Sequence, residues 1–193
     1  MKNLIKKYTV FSALLLLSAC AGGTSYQGVE QNKGSSTFSV QDQKMLVDTL
    51  ATKLTQDATL KQEVMGRPTL LIDEVNNKTS EQIDTQSMTD TLKMNIVKSH
   101  LFSIISRDKT NLLAKEQQLA QSGLADNERA TQLGKLWGAK YVMYGNFSSI
   151  VNYVGKEKQT YYKFTLILQN IETGEEIWID EAEVNKVTKK PLF

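Results

Sequence analysis

Residues 133–145, Leu-Gly-Lys-Leu-Trp-Gly-Ala-Lys-Tyr-Val-Met-Tyr-Gly, are the segment that decides the fold. The first half completes an amphipathic helix predicted over residues 127–137, with its apolar stripe ending at Trp137. Gly138 follows at once, and glycine is the usual residue where a helix ends in a left-handed turn. Residues 141–147 are apolar and rich in aromatic side chains, which predicts a strand. A helix that runs through a glycine into a buried strand indicates an α/β fold.

Upstream of this segment, helical and extended patterns alternate. Ser39 and Asp42 have the spacing of a capping box and begin a helix predicted over residues 41–63. Residues 69–72 form a short apolar run, typical of a strand buried on both faces. Three more elements are predicted: a helix with Met88, Leu92, Ile96 and Leu101 on one face, a strand at 102–105, and a helix containing Leu112 and Leu119.

The last third of the chain is rich in β-strand patterns. Residues 161–170 alternate, with Tyr162, Phe164, Leu166 and Leu168 on one face. Residues 172–175 form a turn signal, and a closing strand is predicted over residues 176–187. The predicted order is α-β-α-β-α-α-β-β-β. We therefore expect an α/β sandwich with helices packed on a mixed β-sheet, parallel at first and antiparallel at the end.

The N-terminal segment carries a second signal. A basic start is followed by an apolar run and by Leu17-Ser18-Ala19-Cys20, which resembles the cleavage motif of bacterial lipoprotein signals. The resemblance implies that residues 1–19 are removed and that Cys20 becomes the acylated first residue. Ala21, rather than aspartate, follows the cysteine, which in such proteins implies the outer membrane. The competing interpretations of Cys20 are an ordinary buried cysteine, a disulfide and a transmembrane anchor. The chain has no second cysteine, and residues 8–19 are shorter than the roughly 20 residues that a spanning helix needs.

Composition limits the possible partners. Removal of residues 1–19 takes away three of the 23 basic side chains and none of the 21 acidic ones, so the remaining chain has a net charge of −1. No excess of positive charge is left for nucleic acid, so we expect no nucleic-acid partner. Residues 20–38 are rich in Gly, Ser, Thr and Gln, which predicts a lipidated N-terminus and a short flexible linker. Residues 39–193 are long enough for one domain, expected to be a monomer.

The residues needed for catalysis or metal binding are sparse. His100 is the only histidine and Cys20 is assigned to lipid, so neither a zinc site nor a Ser-His-Asp triad is expected. His100 is instead predicted at the end of a helix. Ser106 and Lys109 have the Ser-x-x-Lys spacing of some acyl-transfer enzymes, but the companion motifs are missing, and helix capping is the simpler interpretation. We predict no catalytic residue, no metal and no cofactor.

Three stretches resemble the LpoB family of outer-membrane lipoproteins, which activate penicillin-binding proteins. The first is residues 70–85, in which a strand runs into Asn-Lys-Thr-Ser and then Ile-Asp-Thr. The second is Ile105-Ser106-Arg107 with residues 133–145, whose Leu-Gly-x-x-x-Gly-Ala-x-Tyr-Val core is shared with the wider CsgG and TolB-N-like set. The third is the segment from Thr173 to Trp178, which is similar to the family's closing hairpin.

The resemblance implies a TolB-N-like fold and a role without catalysis. The expected role is to bind the docking domain of a bifunctional class A penicillin-binding protein and stimulate its peptidoglycan synthesis. Two other interpretations stay open: a secretion or assembly lipoprotein like CsgG, and a structural or stress-related envelope lipoprotein. The chain departs from the family in its linker, which lacks a long proline-rich arm, and at Ser99-His100, where relatives tend to have glycine.

A partner-binding face is predicted in a late hairpin. Tyrosine is enriched in protein interfaces, and this hairpin combines tyrosines with lysines. The predicted residues are Tyr153, Lys156, Lys158, Tyr161 and Tyr162. The competing interpretation is that the tyrosines are ordinary alternating positions of a sheet.

Overall fold

One mixed β-sheet organises the computed structural model, which describes residues 37–105, 115 and 118–189. Its helices and strands are α1 (Val40–Gln56), α2 (Ala58–Glu63), β1 (Thr69–Asn77), α3 (Thr85–Ser99), β2 (Ser103–Ile104), α4 (Asp126–Trp137), β3 (Tyr141–Val154), β4 (Glu157–Asn170) and β5 (Glu176–Lys189). Residues 118–120 are also helical, and most of the helix predicted around Leu112 lies outside the described residues, as do Cys20 and Ser106. The predicted α/β class is confirmed.

The order of strands in the sheet is β2-β1-β3-β4-β5. β1 is parallel to both β2 and β3, while β4 is antiparallel to both β3 and β5. Parallel neighbours need a crossover connection, and α3 lies between β1 and β2 in the chain. The last three strands follow one another through short turns, which only antiparallel pairing allows. The predicted change from parallel to antiparallel pairing is therefore confirmed.

The sheet separates two apolar clusters. Leu70 belongs to the cluster that the sheet forms with α1, α2 and α3, and Leu71 belongs to the cluster formed with α4. Both side chains are at most 1% exposed. Neighbouring side chains of a strand point to opposite faces, so β1 is buried on both, as its apolar run predicts. We call the two surfaces of the sheet the α1/α3 face and the α4 face.

The prediction of a single helix over residues 41–63 is wrong in one respect, because this segment forms two helices. The Ser39–Asp42 capping box is present at the start of α1. At Asp57 the backbone is extended, with ψ 115°, and its carboxylate accepts a 2.9 Å hydrogen bond from the Leu60 backbone N–H. Aspartate competes with the helical backbone in this way and begins the new helix α2.

Helix α3 ends at His100, which has a left-handed φ of 58°. Met88, Leu92 and Ile96 are buried along one face of α3 as predicted, but Leu101 lies beyond the helix end. A left-handed residue at a helix end favours glycine, which agrees with the glycine expected near this position in relatives. The predicted helix end at Gly138 is also confirmed, with φ 71°.

Strand β3 is longer than its predicted range of residues 141–147. It continues to Val154, and every residue from Tyr141 to Val154 has a partner in β4. Burial of the strand side chains stops after Phe147 because the core stops there, while backbone pairing with β4 does not need buried side chains. Residues 148–154 of β3 therefore extend beyond the core.

Candidate functional site

Residues 148–160, which we call the distal hairpin, project past the end of β1. The last pair between β1 and β3 is Asn77 with Phe147, and one more backbone hydrogen bond joins the Lys78 N–H to the Phe147 carbonyl at 2.7 Å. From Ser148 to Val154, β3 pairs with β4 on one side and with no other described strand. This part of β3 is therefore an edge strand.

The distal hairpin exposes large apolar side chains next to lysines. Ile150 is 59% exposed, Tyr153 72% and Val154 59%, and Val151 is also exposed. Exposed apolar side chains are common singly, but here they form a contiguous group on a projecting element, which makes the hairpin the candidate site. The sequence analysis missed Ile150, Val151 and Val154, although the run of uncharged residues 148–154 was a usable signal.

Three of the five residues predicted as a partner-binding face come together. Tyr153 lies directly opposite Lys158 in the register of β3 and β4, so their side chains share the α1/α3 face. Lys156 is exposed in the turn between these strands. Tyr161 lies on the α4 face, opposite Ile150 and Asn185. Its pKa is raised to about 12, first by a hydrogen bond to Glu183.

Tyr162 lies in the core. Its side chain is 0% exposed, and its ring stacks on Phe147 with 5.9 Å between centroids. Its hydroxyl donates a 2.6 Å hydrogen bond to the Glu81 carboxylate. The pKa of Tyr162 is raised well above its usual value, mainly by burial and then by the hydrogen bond to Glu81. In this structure Tyr162 stabilises the domain and leaves the surface to the other four residues.

Glu81, which accepts the hydrogen bond from Tyr162, belongs to residues 77–85, the segment with Asn-Lys-Thr-Ser and Ile-Asp-Thr. The Asn77 side-chain oxygen accepts hydrogen bonds from the backbone N–H and the hydroxyl of Thr79, and its amide donates to the Glu81 carbonyl. The Thr79 hydroxyl accepts from the Glu81 N–H. Asp84 caps α3 by accepting from the Ser87 N–H. Short polar side chains thus replace the backbone pairing that ends with β1.

The chain enters the domain at the base of the distal hairpin. The Phe38 ring packs 4.8 Å from Phe147 and 5.2 Å from Tyr162, measured between centroids. The Lys186 ammonium on β5 donates to the Thr37 carbonyl and to the Asp42 carboxylate. Burial raises the pKa of Asp42, but the hydrogen bonds from Lys186 and Ser39 outweigh it, so the pKa is lowered overall. Residues 37–42 are therefore held next to the strands that form the distal hairpin.

Tyr162→Phe is expected to lower the free energy of unfolding by about 1.5 kcal/mol, because it removes a hydrogen bond to a charged group. Urea denaturation measures this change, and hydrogen exchange at residues 79–84 should become faster. Tyr153→Ala is the control, since its side chain is mostly exposed and its loss should leave the urea midpoint within experimental error. Equal stability of the Tyr162→Phe and wild-type proteins would contradict this structural role.

Neither a cluster of metal ligands nor a membrane-spanning helix occurs in the part of the chain that the structure describes. No group of three or more His, Cys, Asp or Glu side chains there could hold a metal ion. In the same residues, no helix is both long and apolar enough to cross a membrane. An open cavity of about 560 Å³ beside Gly138 and Lys140 brings together no set of catalytic side chains.

An α/β domain with a projecting hairpin that exposes apolar side chains beside lysines has the features of a class of proteins that bind other proteins. The chain belongs to the LpoB family, because the model of the family "Peptidoglycan-synthase activator LpoB" matches residues 41–184. The resemblance inferred from the sequence is therefore confirmed. Membership of an activator family also agrees with the expectation that the chain is not an enzyme.

Named relatives and solved structures agree with this family. A penicillin-binding protein activator LpoB from Enterobacter sp. (strain 638) is 29% identical over 128 residues, covering 65% of this chain and 55% of the relative. LpoB from Escherichia coli (strain K12) is 27% identical over 118 residues, covering 61% and 52%. The chain spans about half the length of the curated relatives it matches. The solved LpoB C-terminal domain from Salmonella enterica superposes with a TM-score of 0.56 at 26% identity, covering 74% of this chain and 98% of that one.

Proposed function

We propose that this chain is an outer-membrane lipoprotein that binds a class A penicillin-binding protein and activates its peptidoglycan synthesis. The observation that carries the proposal is the match of residues 41–184 to the LpoB family of peptidoglycan-synthase activators. The solved LpoB C-terminal domain from Salmonella enterica supports the proposal, since the superposition with this chain covers 98% of that domain. The alternative of a CsgG-like secretion lipoprotein has no such support from the family match.

Activation requires differential binding. An activator can raise the activity of a synthase only if it binds the active conformation more tightly than the inactive one. We assign this contact to the distal hairpin and the adjoining Tyr161, with Tyr153 and Lys158 on the α1/α3 face, Lys156 in the turn and Tyr161 on the α4 face. A cluster that combines tyrosine, aliphatic and lysine side chains fits a protein partner with an apolar centre and acidic surroundings.

The anchor limits where the partner can be. In the proposed organisation, residues 1–19 are a signal peptide, residues 20–38 are a lipidated linker, and residues 39–193 are the domain. A linker of that length reaches roughly 25 Å on average and about 60 Å fully extended. The synthase must therefore extend toward the outer membrane, because this linker is too short to carry the domain far across the periplasm.

Activity measurement tests the proposal. The purified lipidated protein, in detergent, is mixed with each class A penicillin-binding protein of its own organism, and glycan polymerisation and peptide cross-linking are followed. We expect binding and a severalfold increase in rate for at least one synthase. If none of the synthases is bound or stimulated, the proposed function is wrong.

A matched pair of variants tests the assigned surface. Ile150→Ala alters the distal hairpin, whereas Ile179→Ala alters β5 far from it, and the two isoleucines are 59% and 57% exposed. We expect Ile150→Ala to weaken binding and Ile179→Ala to leave it unchanged. Equal affinities for the two variants would place the contact elsewhere on the domain.

Cys20→Ala is expected to abolish lipid attachment and release the protein from the membrane fraction, because no other cysteine can be acylated. Labelling with radioactive palmitate and membrane fractionation measure the two effects. Ala21→Asp should keep the label but move the protein to the inner membrane, while Ala21→Ser should change neither. Continued outer-membrane location of Cys20→Ala would show that the anchor is not this residue.

A further inference from the structure

The exposed edge of the distal hairpin has a defined set of unpaired backbone groups. Backbone N–H and C=O groups of successive residues point to opposite sides of a strand, and the Phe147 carbonyl points toward β1, where it accepts from Lys78. Ser149, Val151 and Tyr153 therefore point their backbone groups away from β4. No hydrogen-bond partner for these groups is found within residues 37–105 and 118–189.

The edge also lacks the features that normally prevent strand pairing. Residues 148–154, Ser-Ser-Ile-Val-Asn-Tyr-Val, contain no charged residue and no proline. Proteins usually protect exposed edges with charges, prolines or short strands. The opposite edge of the same sheet is protected in this way, since β5 carries acidic and basic side chains along its length: Glu176, Asp180, Glu181, Glu183, Lys186 and Lys189. Only one of the two long edges is suited to pair with another strand.

We propose that the activated synthase adds an extended strand to the edge of β3 at residues 148–154. This inference rests on the proposed function and specifies how the partner binds. Backbone hydrogen bonds to Ser149, Val151 and Tyr153 would supply affinity, as in other cases of β-strand addition. Apolar side chains are exposed on both faces of the edge, Val151 and Tyr153 on the α1/α3 face, and Ile150 and Val154 on the α4 face.

The chemistry of the incoming strand follows from the charges around this edge. Lys186 is paired with Asp42, and Lys189 with Glu157. Lys156 and Lys158, at the turn, form no ion pair with any residue between 37 and 105 or between 118 and 189. The partner strand is therefore apolar on both faces, with at least one acidic side chain near the turn. A second copy of this chain fits less well, because its matching segment carries no acidic residue.

Proline substitution separates strand addition from side-chain contact. Val151→Pro removes an N–H that points to solvent and leaves the pairing with β4 intact, which edge strands tolerate. We expect its affinity for the synthase to fall by at least about tenfold. Val151→Thr keeps both the N–H and the β-branched shape, and its affinity should stay close to that of the wild-type protein. Circular dichroism and thermal melting show whether each variant is folded.

Hydrogen exchange gives a second measurement that needs no substitution. In the free protein the amides of Ser149, Val151 and Tyr153 should exchange quickly, and those of Ile150 and Asn152, which point toward β4, slowly. Addition of the synthase should slow exchange at the first three by at least about tenfold. Strand addition is overturned if the synthase binds without slowing exchange at these three amides. It is also overturned if folded Val151→Pro binds the synthase with wild-type affinity. In both cases the proposed function stands.

Two further outcomes would overturn the proposed strand addition by the synthase. Failure of the wild-type protein to bind any class A synthase overturns the proposed function and this inference together. Protection of the same three amides at high protein concentration without synthase, together with a dimer mass by light scattering, would identify a second copy of this chain as the occupant and overturn the partner proposed here.

Discussion

Gly145→Ala is expected to lower the free energy of unfolding by about 3 kcal/mol, at the upper end for an overpacked core. A Cβ atom at Gly145 would lie 2.6 Å from the Thr165 carbonyl oxygen and 2.8 Å from a methyl carbon of Leu166. The Thr165 oxygen belongs to the backbone of β4, which is paired on both sides and cannot easily move. Close packing at this position therefore requires glycine. Urea denaturation followed by circular dichroism measures the change.

Gly134→Ala is the matched control for this prediction. A Cβ there would lie 2.2 Å from the terminal methyl carbon of Ile171, which is the flexible end of a side chain. Gly134 is inside α4, where alanine is favoured over glycine by about 1 kcal/mol. The gain in helix propensity offsets part of the repacking, so we expect a smaller loss than at position 145. Equal urea midpoints for the two variants would refute the argument.

Arg129→Ala is expected to cost about 3 kcal/mol of stability, because it removes one cationic partner from a buried carboxylate. The Asp73 side chain on β1 is only 2% exposed, and the Arg129 guanidinium on α4 lies 3.1 Å from it. A buried charge that loses its partner is strongly destabilising. Chemical denaturation at neutral pH measures the loss. Lys78→Ala breaks the pair between Lys78 and Asp126, which is exposed, and should change stability by no more than about 0.5 kcal/mol.

A double variant identifies the cause of this loss. Asp73→Asn combined with Arg129→Ala removes both charges and leaves position 129 the same as in the single variant. If the cost of Arg129→Ala comes from the buried charge that Asp73 keeps after Arg129 is lost, the double variant should be more stable than Arg129→Ala. If the double variant is no more stable, packing of the arginine side chain, and not its charge, is what matters.

The elements that follow from local chemistry were predictable. The Ser39–Asp42 capping box, the helix end at Gly138 and the apolar stripe of α3 depend on residues within a few positions of one another, and all three are confirmed. The division into α1 and α2 was not predicted, because the apolar spacing continues past Asp57. An aspartate side chain can face solvent within a helix or cap a new one, and the apolar spacing does not distinguish the two.

The candidate site was only partly predictable. Tyr153, Lys156 and Lys158 are grouped as the sequence suggests, because hairpin neighbours follow from the position of the turn. Tyr162 alternates with Phe164 in β4, so its place on an apolar face was implied by the sequence. That the core reaches as far as Tyr162 depends on Phe38 and Phe147, which are distant in sequence.

The sequence by itself determined the α/β class, the change from parallel to antiparallel strands, and the LpoB resemblance, because each depends on local periodicity or on short motifs. Only the tertiary structure decided that β1 ends opposite Phe147 while β3 and β4 continue together. A strand edge becomes free or covered according to the length of a neighbour that is far away in the chain. The backbone edge at residues 148–154 is therefore exposed because of the register of β1, β3 and β4. Local properties of these residues do not determine that exposure.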